Sequence, residues 1–179
     1  TSKLKNIKIG DEIIMMPKST GTLVLDALKP GKRLFLLSSG TGFAPFASLI
    51  REPETYEKFE QIIVTHTCRM VSELSYSQSI IDKCKNDELI KEFIDNKLIS
   101  YQSTTREDHT VNGRITELIM SKKLFDDLKI NLFTSDDKFM FCGSMGLNND
   151  LKKIMIENNF REGSNNYPGE FVLEKAFVG

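Results

Sequence analysis

The chain has 179 residues, 40% hydrophobic and 27% charged, a balance that excludes a disordered or collagen-like polymer and suffices for one full domain, or one domain and part of another. Lys and Arg total 24 against 25 Asp and Glu, a net charge of -1, so no global basic field draws in nucleic acid or anionic lipid and any phosphate binding is local. Cys68, Cys84 and Cys142 are widely spaced with no C-x-x-C pair, which argues against a disulfide framework or a zinc site and for a reducing, cytoplasmic setting.

No apolar run approaches the roughly 20 residues that span a bilayer, and the first residues lack a charged-then-apolar signal pattern. The opening TSKLKNIKIGDEI reads as text from the middle of a domain. Residues 1–31 hold two short apolar stretches, GDEIIMMP and GTLVLDALKPG, separated by the turn-forming Lys18-Ser19-Thr20-Gly21. Two or three strands cannot bury a core alone. This segment is expected to be the tail of a β-rich unit that closes at Pro30-Gly31, or alternatively an N-terminal hairpin of the main domain.

From Lys32 onward, short apolar runs alternate with helical periodicity, the pattern of β-α units in a parallel sheet. Strands are expected over 33–39, 61–67, 98–105, 138–144 and 169–177. Helices are expected over Pro45–Arg51, Ser72–Cys84, Ile115–Leu128 and Leu147–Phe160. The fold class is therefore α/β, with a five-stranded parallel Rossmann-like domain over 32–179.

The stretch Ser38-Ser39-Gly40-Thr41-Gly42-Phe43-Ala44-Pro45 follows the first buried strand and opens a helix. That is where parallel α/β folds hold a nucleotide pyrophosphate. It is neither G-x-G-x-x-G nor a P-loop, because Pro45 takes the third-glycine position and no G-K-[ST] follows; a plain tight turn also accounts for it. The second strand ends in THTCR, near the position where dinucleotide folds meet the adenosine ribose. Here the residue is Arg69. Arg106 in TTRED and Arg114 in NGRIT follow the third strand at what is expected to be the same sheet edge. Three guanidiniums suit a phosphate monoester, since the planar fork of Arg pairs with phosphate oxygens, and together they favour NADP over NAD. The competing reading pairs each with a carboxylate nearby in sequence: Glu73, Glu107 or Asp108.

Cys142-Gly143-Ser144 stands at the carboxyl end of the fourth strand, where ligands bind in such sheets. A covalent nucleophile is disfavoured, since neither histidine lies near it in sequence. Gly143 suggests close approach of a flat ligand. His66 and His109 lack metal-ligand spacing and read as ordinary polar residues, so no metal site is expected.

Taken together, GTGFAPF, the Cys142-Gly143 pair, the ordered CR, TRE and GRI motifs and the ending VLEKAFVG resemble the ferredoxin:NADP(H) reductases, in the bacterial branch of the plant-type family. The resemblance implies an FAD-binding β-barrel followed by an NADP-binding α/β domain. Hydride would pass between NADPH and FAD, and single electrons would pass to ferredoxin or flavodoxin. On that basis residues 1–31 are the C-terminal remnant of the barrel. Gly40, Thr41, Gly42 and Pro45 then hold the NADP pyrophosphate and nicotinamide side, with Gly143 beside them, and Arg69, Arg106 and Arg114 hold the 2'-phosphate. Cys142 and Glu174 fall where the family flanks the reacting atoms, Thr1 and Ser2 where it caps the FAD pyrophosphate, and Ala176 and Phe177 where its C-terminus meets the flavin. The family's R-x-Y-[ST] motif is absent from these residues, so the expectation is a fragment of a longer enzyme, monomeric, with the N-terminal half of the barrel outside it. The alternatives are a non-catalytic NADP-binding module and the reductase component of an oxygenase.

Overall fold

Alternation within β1, Arg33–Ser39, decides the architecture. Leu34 and Leu36 project into one core and Phe35 and Leu37 into another, all fully buried, so helices must cover both faces of the sheet. A computed structural model describes residues 6–15 and 21–175. In it β1 is central, followed by β2 (Gln61–Cys68), β3 (Leu98–Thr104), β4 (Asp137–Gly143) and β5 (Phe171–Lys175). All neighbours pair in parallel, in the order β3-β2-β1-β4-β5. The chain thus reverses its direction of travel across the sheet between β1 and β4, the switch point at which open parallel sheets bind ligands beyond their carboxyl ends.

One face is covered by α1 (Phe43–Leu49), α2 (Pro53–Lys58), α3 (Ser75–Asn86) and α4 (Lys91–Ile94), through Phe46, Tyr56, Ile81 and Ile94 among others. The other carries α5 (Ile115–Met120), α6 (Lys123–Leu128) and α7 (Met145–Glu157), packed on Phe35, Phe139 and Phe171. Phe133 joins Phe35, Phe125 and Phe139 in edge-on contacts at 4.9–5.2 Å.

The five expected strands form, each within a few residues of its expected limits. The single helix expected over Ile115–Leu128 is two helices, broken where Lys122 adopts a left-handed φ of 67°. An unbroken helix would continue the stripe of Ile115, Leu118 and Ile119 onto Lys122 and Asp126; the break instead carries Leu124 and Phe125 into the core. Helices α2 and α4 were not expected, being too short to show a period.

Among the described residues no strand precedes Arg33, which corrects the expectation of strands there. The described part of the first stretch, residues 10–15, is turn and coil, and the second holds a 3-10 turn over Leu25–Ala27. Without partner strands these short segments have nothing to satisfy their backbone groups as a sheet. The second segment is nonetheless anchored. Leu25, Ala27 and Leu28 are buried in the core beside α1, Leu28 bridges Gly169, and the Thr22 hydroxyl donates to the Leu173 carbonyl at 2.9 Å. No helix among the described residues is long and apolar enough to cross a membrane.

Candidate functional site

The carboxyl ends of β1, β2, β3 and β4 surround a cleft of about 980 Å³. Gly40 and Thr41 line it from the turn after β1, Arg69 from the end of β2, Arg106 and Arg114 from the loop after β3, and Ser144 and Gly146 from the start of α7. All three arginines are exposed. The structure therefore brings together Gly40, Thr41, Arg69, Arg106 and Arg114, which are far apart in sequence.

Backbone bonds hold this gathering in place. Arg106 N–H donates to the Arg69 carbonyl at 3.0 Å, tying the two Arg-bearing turns together. The loop beyond folds back on β3 through Gly113 N–H to the Thr104 carbonyl, 2.9 Å, and His109 N–H to Asn112 Oδ1, 3.0 Å. Arg114 thereby arrives at the N-cap of α5, on the same cleft as Arg106.

The carboxylates that competed for these cations are engaged elsewhere. Glu73 Oε2 accepts from the backbone N–H groups of Arg69 and Met70, at 2.9 and 2.8 Å. Glu107 Oε2 accepts from Val71 N–H at 2.6 Å, and Glu117 Oε2 from Arg114 N–H at 3.2 Å. Asp108 Oδ1 is approached by the Asn112 amide at 3.5 Å. Among the described residues no ion pair involves Arg69, Arg106 or Arg114. Glu73, Glu107 and Glu117 each bond a backbone N–H of a turn beside one of these cations, and the three arginines line the cleft. The start of α7 lines the same cleft; there the Ser144 hydroxyl oxygen accepts from Leu147 N–H at 3.3 Å, and the helix dipole adds to the pull on an anion.

The Gly40–Gly42 segment is a 3-10 turn that leads into α1. Gly40 has φ 53°, a left-handed conformation that glycine adopts without penalty. At Gly42 a Cβ would overlap the Cys142 carbonyl, so the turn lies directly on the end of β4. Gly143 is likewise closed in, by Ser39 and Leu147. The close approach there is made by protein.

Cys142 is buried, 4% exposed, and stands in register with Glu174 on β5. Burial first, and the Glu174 charge second, push its thiol up to about 11, so it is protonated at neutral pH. Asn148 holds the strand beside it, its Nδ2 donating to the Glu174 carbonyl at 2.9 Å. The exposed Glu174 side chain and Pro45 line a second hollow of about 500 Å³, closed by Gly21, Leu23 and Leu49. The expected site residues thus fall into two groups that meet at the Gly42–Cys142 contact. Thr1, Ser2, Ala176 and Phe177 lie outside the described residues.

Sequence reasoning missed the support behind the turn. His66, read as an ordinary polar residue, is buried with Nε2 at 2.8 Å from the Gly40 carbonyl and Nδ1 at 2.7 Å from the Ser77 hydroxyl. It also missed the capping by Glu73, Glu107 and Glu117; their spacing from the arginines, three or four residues in two cases, is as compatible with capping as with ion pairing.

No family model matches the chain. A flavodoxin/ferredoxin–NADP reductase of Rhodobacter capsulatus is 51% identical over 180 residues, which covers 100% of this chain and 67% of that protein. A ferredoxin–NADP reductase of Azotobacter vinelandii is 41% identical over 183 residues, covering 99% of this chain and 70% of that one. The chain spans about two thirds of the length of these curated relatives. Among solved structures, a ferredoxin NADP+ reductase from Neisseria gonorrhoeae with bound FAD and NADP superposes with a TM-score of 0.75 at 24% identity. It covers 88% of this chain and 61% of that one, a likeness of fold.

Proposed function

Because this chain belongs to the ferredoxin/flavodoxin–NADP reductase family, as its 51% identity to a relative of which it spans 67% shows, we propose that it carries the NADP-binding part of a ferredoxin (flavodoxin):NADP(H) oxidoreductase. Residues 32–179 form the NADP-binding domain, and residues 1–31 belong to the end of an FAD-binding barrel. When bound, these groups would supply hydride exchange between NADPH and FAD, with single electrons passing on to ferredoxin or flavodoxin.

The observation that carries this reading is the set of three arginines around one cleft that form no ion pair among the described residues. A dinucleotide with a 2'-phosphate fits that donor set, because paired charge-assisted bonds to phosphate are what the Arg fork makes best. NAD offers only hydroxyls at that position and leaves the cations uncompensated. The Gly40–Gly42 turn and the start of α7 would hold the diphosphate, and Cys142 and Glu174 would stand at the nicotinamide end.

At that end Cys142 acts by occupying space. Its buried thiol stays protonated at neutral pH and is a poor nucleophile there, and it would pack the floor beside a flat ring. Glu174, level with it on β5, presents a carboxylate to the second hollow and orients the reacting partners electrostatically, where a misplacement of about 1 Å costs on the order of a hundredfold in rate. Calorimetric titration of the purified protein tests the reading. NADP+ should bind at least about tenfold tighter than NAD+, and equal affinities, or no binding of either, would refute it.

A further inference from the structure

The Gly40–Gly42 turn is held from inside the protein by a side-chain relay. His66 lies on β2 with its ring buried, 5.0 Å from the Phe43 ring. Nε2 faces the Gly40 carbonyl at 2.8 Å and Nδ1 faces Ser77 Oγ at 2.7 Å, while Gln102 Nε2 lies 3.0 Å from the same hydroxyl. Cys68 Sγ also lies 3.2 Å from Nε2; the direction of the other bonds follows from the proton inventory. A carbonyl can only accept, so Nε2 bears the proton and donates to Gly40. The Ser77 hydroxyl has two acceptors within reach, Nδ1 at 2.7 Å and the Leu74 carbonyl at 2.9 Å. Donation to Leu74 would require a proton on Nδ1 as well, an imidazolium, and burial disfavours that charge and lowers the pKa of His66. The neutral ring therefore accepts from Ser77, and Ser77 accepts from Gln102.

We infer that His66 is a positioning residue for the nucleotide diphosphate, acting through the peptide that joins Gly40 to Thr41. That peptide is planar and trans, so its carbonyl and its N–H point in opposite directions. With the carbonyl drawn inward to His66, the Thr41 N–H is turned outward, on the side where Gly40 and Thr41 are exposed to the cleft. An N–H aimed in advance at an anionic oxygen costs no reorganisation when the ligand arrives. Phe43 N–H donates to the same Gly40 carbonyl within the 3-10 turn, so the turn and His66 hold this peptide in one orientation together. The relay from Gln102 through Ser77 sets the tautomer and so adds the His66 bond to the outward orientation. This role rests on the proposed nucleotide reading and adds to it a residue that touches no ligand.

Titration of the purified protein with two probes, NADP+ and 2'-AMP, separates the two. The second carries adenosine and the 2'-phosphate but no diphosphate. His66→Leu keeps the bulk and removes the donor; it should weaken NADP+ by about tenfold and leave 2'-AMP within about twofold. His66→Gln restores an N–H toward Gly40 and should recover most of the NADP+ affinity, which loss of packing alone would not allow. Ser77→Ala, which frees the tautomer and is the milder change should His66→Leu fail to fold, should weaken NADP+ by about threefold with 2'-AMP unchanged. Wild-type NADP+ affinity in His66→Leu or in Ser77→Ala, equal loss of both probes, or no recovery in His66→Gln would overturn the inference while wild-type binding of both probes leaves the nucleotide reading standing. A wild-type protein that binds neither probe overturns both.

Discussion

The two ends of the parallel sheet use arginine in opposite ways. At the amino end Arg33 is engaged: its guanidinium meets both Asp137 carboxylate oxygens at 2.6 Å and also the Asn131 and Leu132 carbonyls, at 3.1 and 3.0 Å. The Asp137 side chain is wholly buried and that of Arg33 is 14% exposed. At the carboxyl end Arg69, Arg106 and Arg114 are exposed, and the acids beside them bond backbone N–H groups. Arg33 fastens β1 to β4, whereas the other three line the cleft and form no ion pair among the described residues. What sets the role of an arginine is how the neighbouring carboxylate spends its lone pairs, since acids stand close in sequence to the carboxyl-end arginines.

This contrast predicts opposite phenotypes. Asp137→Ala strips the buried partner from Arg33 and leaves Thr134 N–H unsatisfied as well. It should cost about 3–5 kcal/mol, a fall in Tm on the order of 10 °C by calorimetry, with the NADP+ to NAD+ preference of the surviving folded protein unchanged. Glu73→Ala at the other end removes one cap from an exposed turn and should cost only about 1 kcal/mol. Its visible effect should be a loss of NADP+ affinity by a few fold in titration, because the turn that presents Arg69 loosens. A Glu73→Ala protein with tighter NADP+ binding would mean that Glu73 competes with the ligand for Arg69.

The smallest expected effect concerns Cys142. Its pKa stands at about 11, raised by burial and then by Glu174. Between the ordinary thiol value of 9.0 and about 11 the folded chain keeps a proton that the unfolded chain releases. The stability tied to this group is thus complete below pH 9.0 and is lost as pH rises through about 11. Alkylation of Cys142, followed by mass spectrometry, should accordingly be slow at neutral pH and rise toward pH 11. Glu174→Gln should shift that rise to lower pH, since it removes the charge that opposes the thiolate.

The sheet was legible because its five apolar runs are short, separated and rich in β-branched or aromatic residues, as in QIIVTHT and KFMFCGS. Helix limits were less so. The break at Lys122 is set by where Leu124 and Phe125 must land in the core, a tertiary demand that no local periodicity states. In the site, Arg69, Arg106 and Arg114 were legible from their places after strands. The partners of Glu73 and Glu107 were not, since a carboxylate near an arginine in sequence is equally an ion-pair partner and a cap until the backbone is seen. His66 escaped notice for the same reason: its partners Gly40 and Ser77, and Gln102 behind Ser77, come from three separate segments. The short stretches before Arg33 have strand-like composition, yet among the described residues they form no strand.

The most direct test of the account is the ratio of NAD+ to NADP+ dissociation constants, measured by calorimetry for the wild type, for Arg69→Ala, Arg106→Ala and Arg114→Ala, and for Arg33→Ala as the control from the other end of the sheet. Each charge-assisted bond to phosphate is worth roughly 1.5–3 kcal/mol, so each carboxyl-end substitution should lower the ratio by about ten- to a hundredfold. Arg33→Ala should lower Tm and leave the ratio as in the wild type. A ratio that the three carboxyl-end substitutions leave unchanged, or that falls as far in Arg33→Ala, would contradict the claim that these three guanidiniums form the phosphate site.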